Sequence, residues 1–217
     1  MVNLEEAVRG RRSMRMFLRD KPVPWEFVDE ALELAARAPS NSNVQPWRLV
    51  LATGSRRDRL AEALLEAATI ELPVTSGLPE SYLPLRRELG ALVYGSMGIA
   101  RDDADARRIA QLRNFDFFRA PMAGAVCMHR DLGLADAVGV GMYLQTLLLA
   151  LTERGLGACV QVSVAAYPEI VRAVLGIPEE LTVLCGLAIG YADDGFAANH
   201  LHTPRRAVDQ TVVRLQE

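Results

Sequence analysis

The apolar positions along the chain change period several times, and each change predicts an element. Asn3 ahead of Glu5 and Glu6 makes an N-terminal cap, and Val2–Arg9 is predicted as a short helix that Gly10 ends. Over Glu26–Ala38, Phe27, Leu32, Leu34, Ala35 and Ala38 recur near helical spacing, the mark of an amphipathic helix. Arg56–Ile70 predicts another. Short apolar runs at Trp47–Ala52 (WRLVLA), Ala120–His129 (APMAGAVCMH), Ala158–Val164 and Thr182–Gly190 (TVLCGLAIG) predict buried strands. Ala135–Arg154 is apolar on every face, as expected of a central, buried helix, and Gly155–Gly157 stops it. Pro168–Leu175 follows as a further helix. The pattern fails over 71–113, where prolines at 73, 79 and 84, glycines at 77, 90, 95 and 98, and mixed charge predict a loop-rich excursion with short helices. Helices outnumber strands and separate them, which favours α/β or α+β. The chain has 217 residues, and 1–217 is expected to form one domain.

Composition narrows the class. Half the residues are hydrophobic and a quarter charged, which excludes a disordered chain, a collagen and a coiled-coil rod. Lys+Arg 24 against Asp+Glu 27 leaves a net charge of −3, so no global positive field draws nucleic acid or an anionic membrane. The longest apolar stretch, Val138 to Leu151, is interrupted by Gln145 and Thr146 and is expected to be too short for a bilayer. Cys127, Cys159 and Cys185 are odd in number and far apart, which argues against a disulfide framework or a zinc site. A reducing compartment, the cytoplasm, is expected. His129, His200 and His202 lack metal-ligand spacing.

Two segments hold candidate chemistry. In Gly10-Arg11-Arg12-Ser13-Met14-Arg15, three guanidiniums within five residues repel one another unless an anion lies between them. The segment is either a solvated basic turn or a phosphate site. Ala38-Pro39-Ser40-Asn41-Ser42-Asn43-Val44-Gln45-Pro46 sets small polar residues between two prolines, as a plain connection or a ligand loop. Neither a Walker A loop nor G-x-G-x-x-G nor G-x-S-x-G occurs, and Gly155-Leu156-Gly157 ends a helix instead of opening one.

Read together and in order, RRSMRMF, APSNSNVQPWR, GLGACVQVS, LGIPEELTVLCGLAIGYAD and TPRR resemble the flavin-dependent nitroreductase family over nearly the whole chain. The middle segment LPESYLPLRRELGALVYGSMGIARDD, with RNFDFFRAP, looks like the branch that includes nitrobenzene and nitrobenzoate reductases. The resemblance implies an α+β three-layer fold, with a central mixed sheet surrounded by helices, in an intertwined homodimer. It implies FMN at the dimer interface, NADPH or NADH as electron donor, and ping-pong reduction of nitroaromatic or related electron-poor acceptors.

By the same resemblance, Arg11, Arg12 and Ser13 hold the FMN phosphate and ribityl chain, and Arg205 closes on the phosphate. Arg15 faces the flavin N1–C2=O edge, where a cation favours the negative charge that two-electron reduction develops. Pro39, Ser40, Asn41 and Asn43 reach the flavin of the other subunit, and Gln161, Val162 and Ser163 meet its N5 side. Arg113 is a further flavin contact, with Asn114 as its alternative. No side chain is expected to act as a catalytic proton donor, since the flavin carries the chemistry. Gly139 and Val160 depart from the family pattern. The alternatives are an oxidase or dehydrogenase acting on a biosynthetic intermediate, and a non-catalytic flavin-binding protein.

Overall fold

The computed structural model describes residues 3–73 and 77–215. Val2, where the sequence pattern begins its first helix, lies outside them. In chain order the elements are α1 (Leu4–Gly10), α2 (Trp25–Ala35), β1 (Trp47–Thr53), α3 (Gly54–Ile70), α4 (Leu83–Ser96), α5 (Ala104–Leu112), β2 (Met122–His129), α6 (Leu134–Glu153), β3 (Gly157–Gln161), α7 (Pro168–Leu175) and β4 (Leu181–Gly190). The sheet order is β1-β2-β4-β3.

The two inner strands alternate their side chains between two cores. On one face Ala123, Ala125 and Cys127 of β2 meet Leu60 and Leu64 of α3 and Val171 and Leu175 of α7. On the other, Met122, Val126 and Met128 of β2 and Leu187 and Ile189 of β4 meet Val28 of α2 and Val140, Leu147 and Leu151 of α6. Helix, sheet and helix therefore make three layers, an α+β arrangement.

Several expectations need correction. The sheet is not mixed: its three ladders are all antiparallel, and among the described residues parallel pairing is confined to the isolated bridge Ser13–Ala158. β1 is an edge strand and only half-buried: Ala52 is buried, Arg48 and Thr53 are exposed, and the other positions are intermediate. β3 stops at Gln161, after which 162–166 turns as a 3-10 helix so that Val164 enters the core. The excursion is more helical than its composition suggests. Pro84 falls in the first turn of α4, where its missing N–H costs nothing, and Asp103 caps α5 by accepting from Ala106 N (2.9 Å).

α6 is long and apolar enough, by length and composition alone, to cross a membrane, which the interrupted run of 138–151 did not suggest. In the fold it is an interior helix on one face only. Val140, Tyr143, Leu147 and Leu151 are buried, whereas Leu134 (89% exposed), Val138 and Met142 form an open stripe four residues apart. The cysteines sit where the apolar runs placed them, buried and unpaired. Burial pushes the Cys127 and Cys159 thiols up to about 11 and Cys185 to about 12.

Candidate active site

The basic segment after α1 is held along β3. Ser13 bridges Ala158, and Met14 N donates to Ala158 O (3.1 Å). Gly157 permits this approach, since a Cβ there would lie 2.7 Å from Met14 Cγ. Further along, Leu18 N donates to Tyr191 O (2.9 Å), and Asp193 N donates to Met16 O (3.1 Å). Asn199, 3% exposed, completes the attachment. Its Oδ1 accepts from Arg15 N (2.6 Å), and its Nδ2 donates to Met16 O (2.8 Å) and Asp193 O (2.9 Å). The position of Arg15 is therefore set by a residue 184 positions away in sequence.

This attachment brings Arg11, Arg12, Ser13 and Arg15 to one cavity of about 920 Å³ together with Gln145, His202, Arg205 and Arg206. Arg12 Nη1 lies 3.5 Å from His202 Nε2, while Arg12 Nε is buried without a hydrogen-bond partner. Arg205 Nη1 folds back on Thr203 O (3.0 Å), Thr203 Oγ1 (2.5 Å) and Pro204 O (3.0 Å), and Arg206 stands 5.7 Å from the Tyr82 ring. Among the described residues, none of these five arginines pairs with a carboxylate; Glu88 lines the cavity but makes no ion pair. Arg15 and Arg11 also act through space on Cys159, offsetting part of the burial that raises its thiol. Such a concentration of unpaired cations is a site for an anion with several acceptor oxygens, as in a phosphate.

A second cavity, of about 700 Å³, lies under α4 and α5, and Arg15 and Leu89 line both. Arg113 and Asn114 face into it. Arg113 Nη1 donates to Met97 Sδ (3.4 Å), with its guanidinium 5.5 Å from the Phe196 ring. Gln161, 2% exposed, donates from Nε2 to Asn114 O (2.5 Å), and its Oε1 has no partner. Val162 is exposed and Ser163 half-buried in the turn that follows.

The loop with Pro39, Ser40, Asn41 and Asn43 lines neither cavity within this chain. It is a built turn: Ser40 Oγ accepts from Gln45 N (3.0 Å), and Ser42, Asn43 and Gln45 all have left-handed φ. It rests on α6 at Gly139, where a Cβ would come within 3.1 Å of Ser40 Cβ. The missing side chain at Gly139 thus has a packing reason.

Sequence reading did not single out Asn199, Arg206, Gln145 or Arg57. Arg57, 2% exposed, ion-pairs with Asp116 (3.0 Å) and donates from Nε to Ala120 O (2.7 Å) and from Nη2 to Asp116 O. It clamps the turn in which Phe117, Phe118 and Arg119 are all left-handed. Only Arg206 had a signal in the sequence, as the second arginine of TPRR. The others depend on contacts distant in sequence.

Fold and site together define a three-layer α+β protein that offers a cationic cavity to a phosphorylated cofactor and a second cavity beside it. The chain belongs to the nitroreductase family, whose model matches residues 8–191. It is 38% identical over 213 residues to the nitroreductase NfnB of Mycolicibacterium smegmatis, covering 95% of this chain and 90% of that one. It is 38% identical over 218 residues to a 4-nitrobenzoate reductase of Nocardioides sp., covering 96% and 88%. The crystal structure of the FMN and NADPH-dependent nitroreductase NfnB from Sphigopyxis sp. strain HMH superposes with a TM-score of 0.92 at 34% identity, covering 99% of this chain and 100% of that one.

Proposed function

We propose that the chain is an FMN-dependent NAD(P)H oxidoreductase that reduces nitroaromatic compounds by a ping-pong mechanism, as a homodimer in the cytoplasm. The observation that carries this reading is the group of five arginines around one cavity that, among the described residues, have no carboxylate partner, with Arg12 Nε buried and unbonded. Arg11, Arg12, Ser13 and Arg205 hold the FMN phosphate and ribityl chain. Bound FMN supplies hydride transfer between the nicotinamide and the acceptor. The overall change is ArNO2 + NAD(P)H + H+ → ArNO + NAD(P)+ + H2O.

Arg15, fixed through its backbone by Asn199 and through Nη1 by Ser13 O (3.1 Å), keeps a positive charge where electron density accumulates during reduction. Such a charge interacts more strongly with the reduced than with the oxidised state, so it lowers the barrier as well as holding the cofactor. Arg113, at the second cavity, borders the ring, and Gln161, Val162 and Ser163, which line neither cavity, approach its N5 side from the end of β3.

The dimer reading is supported by the open stripe Leu134, Val138 and Met142 on α6. The Pro39–Asn43 loop, which lines neither of the two cavities described, would complete the partner's site through Pro39, Ser40, Asn41 and Asn43. Three unpaired thiols in the interior accord with a reducing compartment.

The test is an anaerobic titration of the yellow holoprotein. NADPH or NADH is expected to bleach the flavin, and a nitroaromatic to restore it, with parallel double-reciprocal lines in steady state. Arg15→Ala should slow bleaching about ten- to hundredfold and lower the midpoint potential. Bound flavin that neither nicotinamide reduces would remove the reading.

A further inference from the structure

The chain as a whole is acidic, yet among the described residues the second cavity is lined by six arginines and by no aspartate or glutamate. Among the described residues, Arg87, Arg101 and Arg107 have no carboxylate partner. Arg107 is the best placed of them. It is half-buried, with its guanidinium 4.1 Å from the Tyr94 ring centre, and Gln111 Nε2 donates to Tyr94 Oη (3.3 Å) and steadies that ring. Stacking fixes the guanidinium plane and leaves its N–H edge for a planar, two-oxygen acceptor. Phe118 and Phe196 supply apolar wall to the same cavity, the complement of an aromatic ring.

We propose that this cavity selects nitroaromatic acceptors that carry a carboxylate, with Arg107 as the residue that reads the carboxylate and Arg87 and Arg101 adding to the positive field at its rim. The inference rests on the nitroreductase reading above and specifies its substrate class. A guanidinium of this kind would also attract the phosphate of a nicotinamide donor, and the two sources of negative charge separate experimentally.

The experiment compares kcat/KM for 4-nitrobenzoate and nitrobenzene in the holoenzyme and in Arg107→Gln and Arg101→Gln. The parent is expected to prefer 4-nitrobenzoate. In Arg107→Gln the ratio of the two should fall at least about tenfold, the loss expected for one charge-assisted bidentate contact. Arg101→Gln should lower the ratio less and, at an exposed position, keeps the test available if Arg107→Gln folds poorly. Calorimetric binding of benzoate to the oxidised holoenzyme gives a readout without turnover, and its affinity should fall in parallel. An unchanged ratio and unchanged benzoate affinity in both variants would overturn the proposal. A lowered NADPH-to-NADH ratio with an unchanged acceptor ratio would overturn it in favour of the donor's phosphate. If the parent reduces neither nitro compound, the nitroreductase reading fails and this one with it, whereas turnover of both without discrimination sinks the carboxylate assignment alone.

Discussion

β2 and α4 are both rich in apolar residues, but they are used in opposite ways. Seven of the eight residues of β2, Met122 to Met128, are buried between two cores. No residue of α4 is buried, although it carries five leucines and valines that lie over the two cavities. In β2 each side chain is fixed by neighbours on both faces, so the sequence there determines whether the chain folds. In α4 the side chains meet the cavities and solvent, so changes alter what binds at little cost to the fold. A rigid sheet carrying a loosely packed cover lets one scaffold take different acceptors.

The contrast is broken most severely at Gly124, where a Cβ would fall 1.8 Å from Val50 O of the neighbouring strand. Gly124→Val should abolish cooperative unfolding in a circular-dichroism melt; a transition close to the parent's would contradict the tight β1–β2 approach. Next come two leucines. Leu187→Ala removes a side chain with no exposure and should cost about 2–5 kcal/mol in urea denaturation. Leu89→Ala, 40% exposed on α4, should cost less than about 1 kcal/mol while changing KM for the acceptor. Equal destabilisation by the two would erase the distinction.

A smaller effect is expected at the cationic cavity. Arg11→Ala or Arg205→Ala should weaken FMN by about one to two decades, with the melt of the apoprotein unchanged, as measured by fluorescence titration. The smallest concerns the thiols. Because burial raises Cys127, Cys159 and Cys185 to about 11, 11 and 12, the folded state retains protons that the unfolded chain releases. Their contribution to stability is complete below the ordinary thiol range and is lost as pH rises through 9 towards 11–12. At pH 8 a thiol reagent should label none in the native protein and all three in urea; rapid native labelling would place a cysteine outside the core.

Much of the fold was legible because its signals are local. The helix Pro168–Leu175 has the bounds its pattern predicts, and β2 follows an unbroken apolar run. α4 was obscured by Pro84, Gly90 and Gly95, residues that ordinarily break helices, although Pro84 is accommodated in the first turn. At the site, the arginines of RRSMR and TPRR stood out by charge and converge on one cavity. Asn199 and Arg57 did not stand out. A single asparagine or arginine has no distinguishing local pattern, and their partners lie 184 and 63 positions away.

The attachment of Arg15 to Asn199 also sets an order of events during synthesis. Residues 11–15 leave the ribosome early, but Ala158, Tyr191, Asn199 and Arg205, which align them or close the cavity, follow some 140 to 190 residues later. At about 5–20 residues per second, the nascent basic segment waits on the order of ten seconds or more without its supports. Capture of an anion in this cavity therefore waits until the segment around Asn199 and Arg205 has been made.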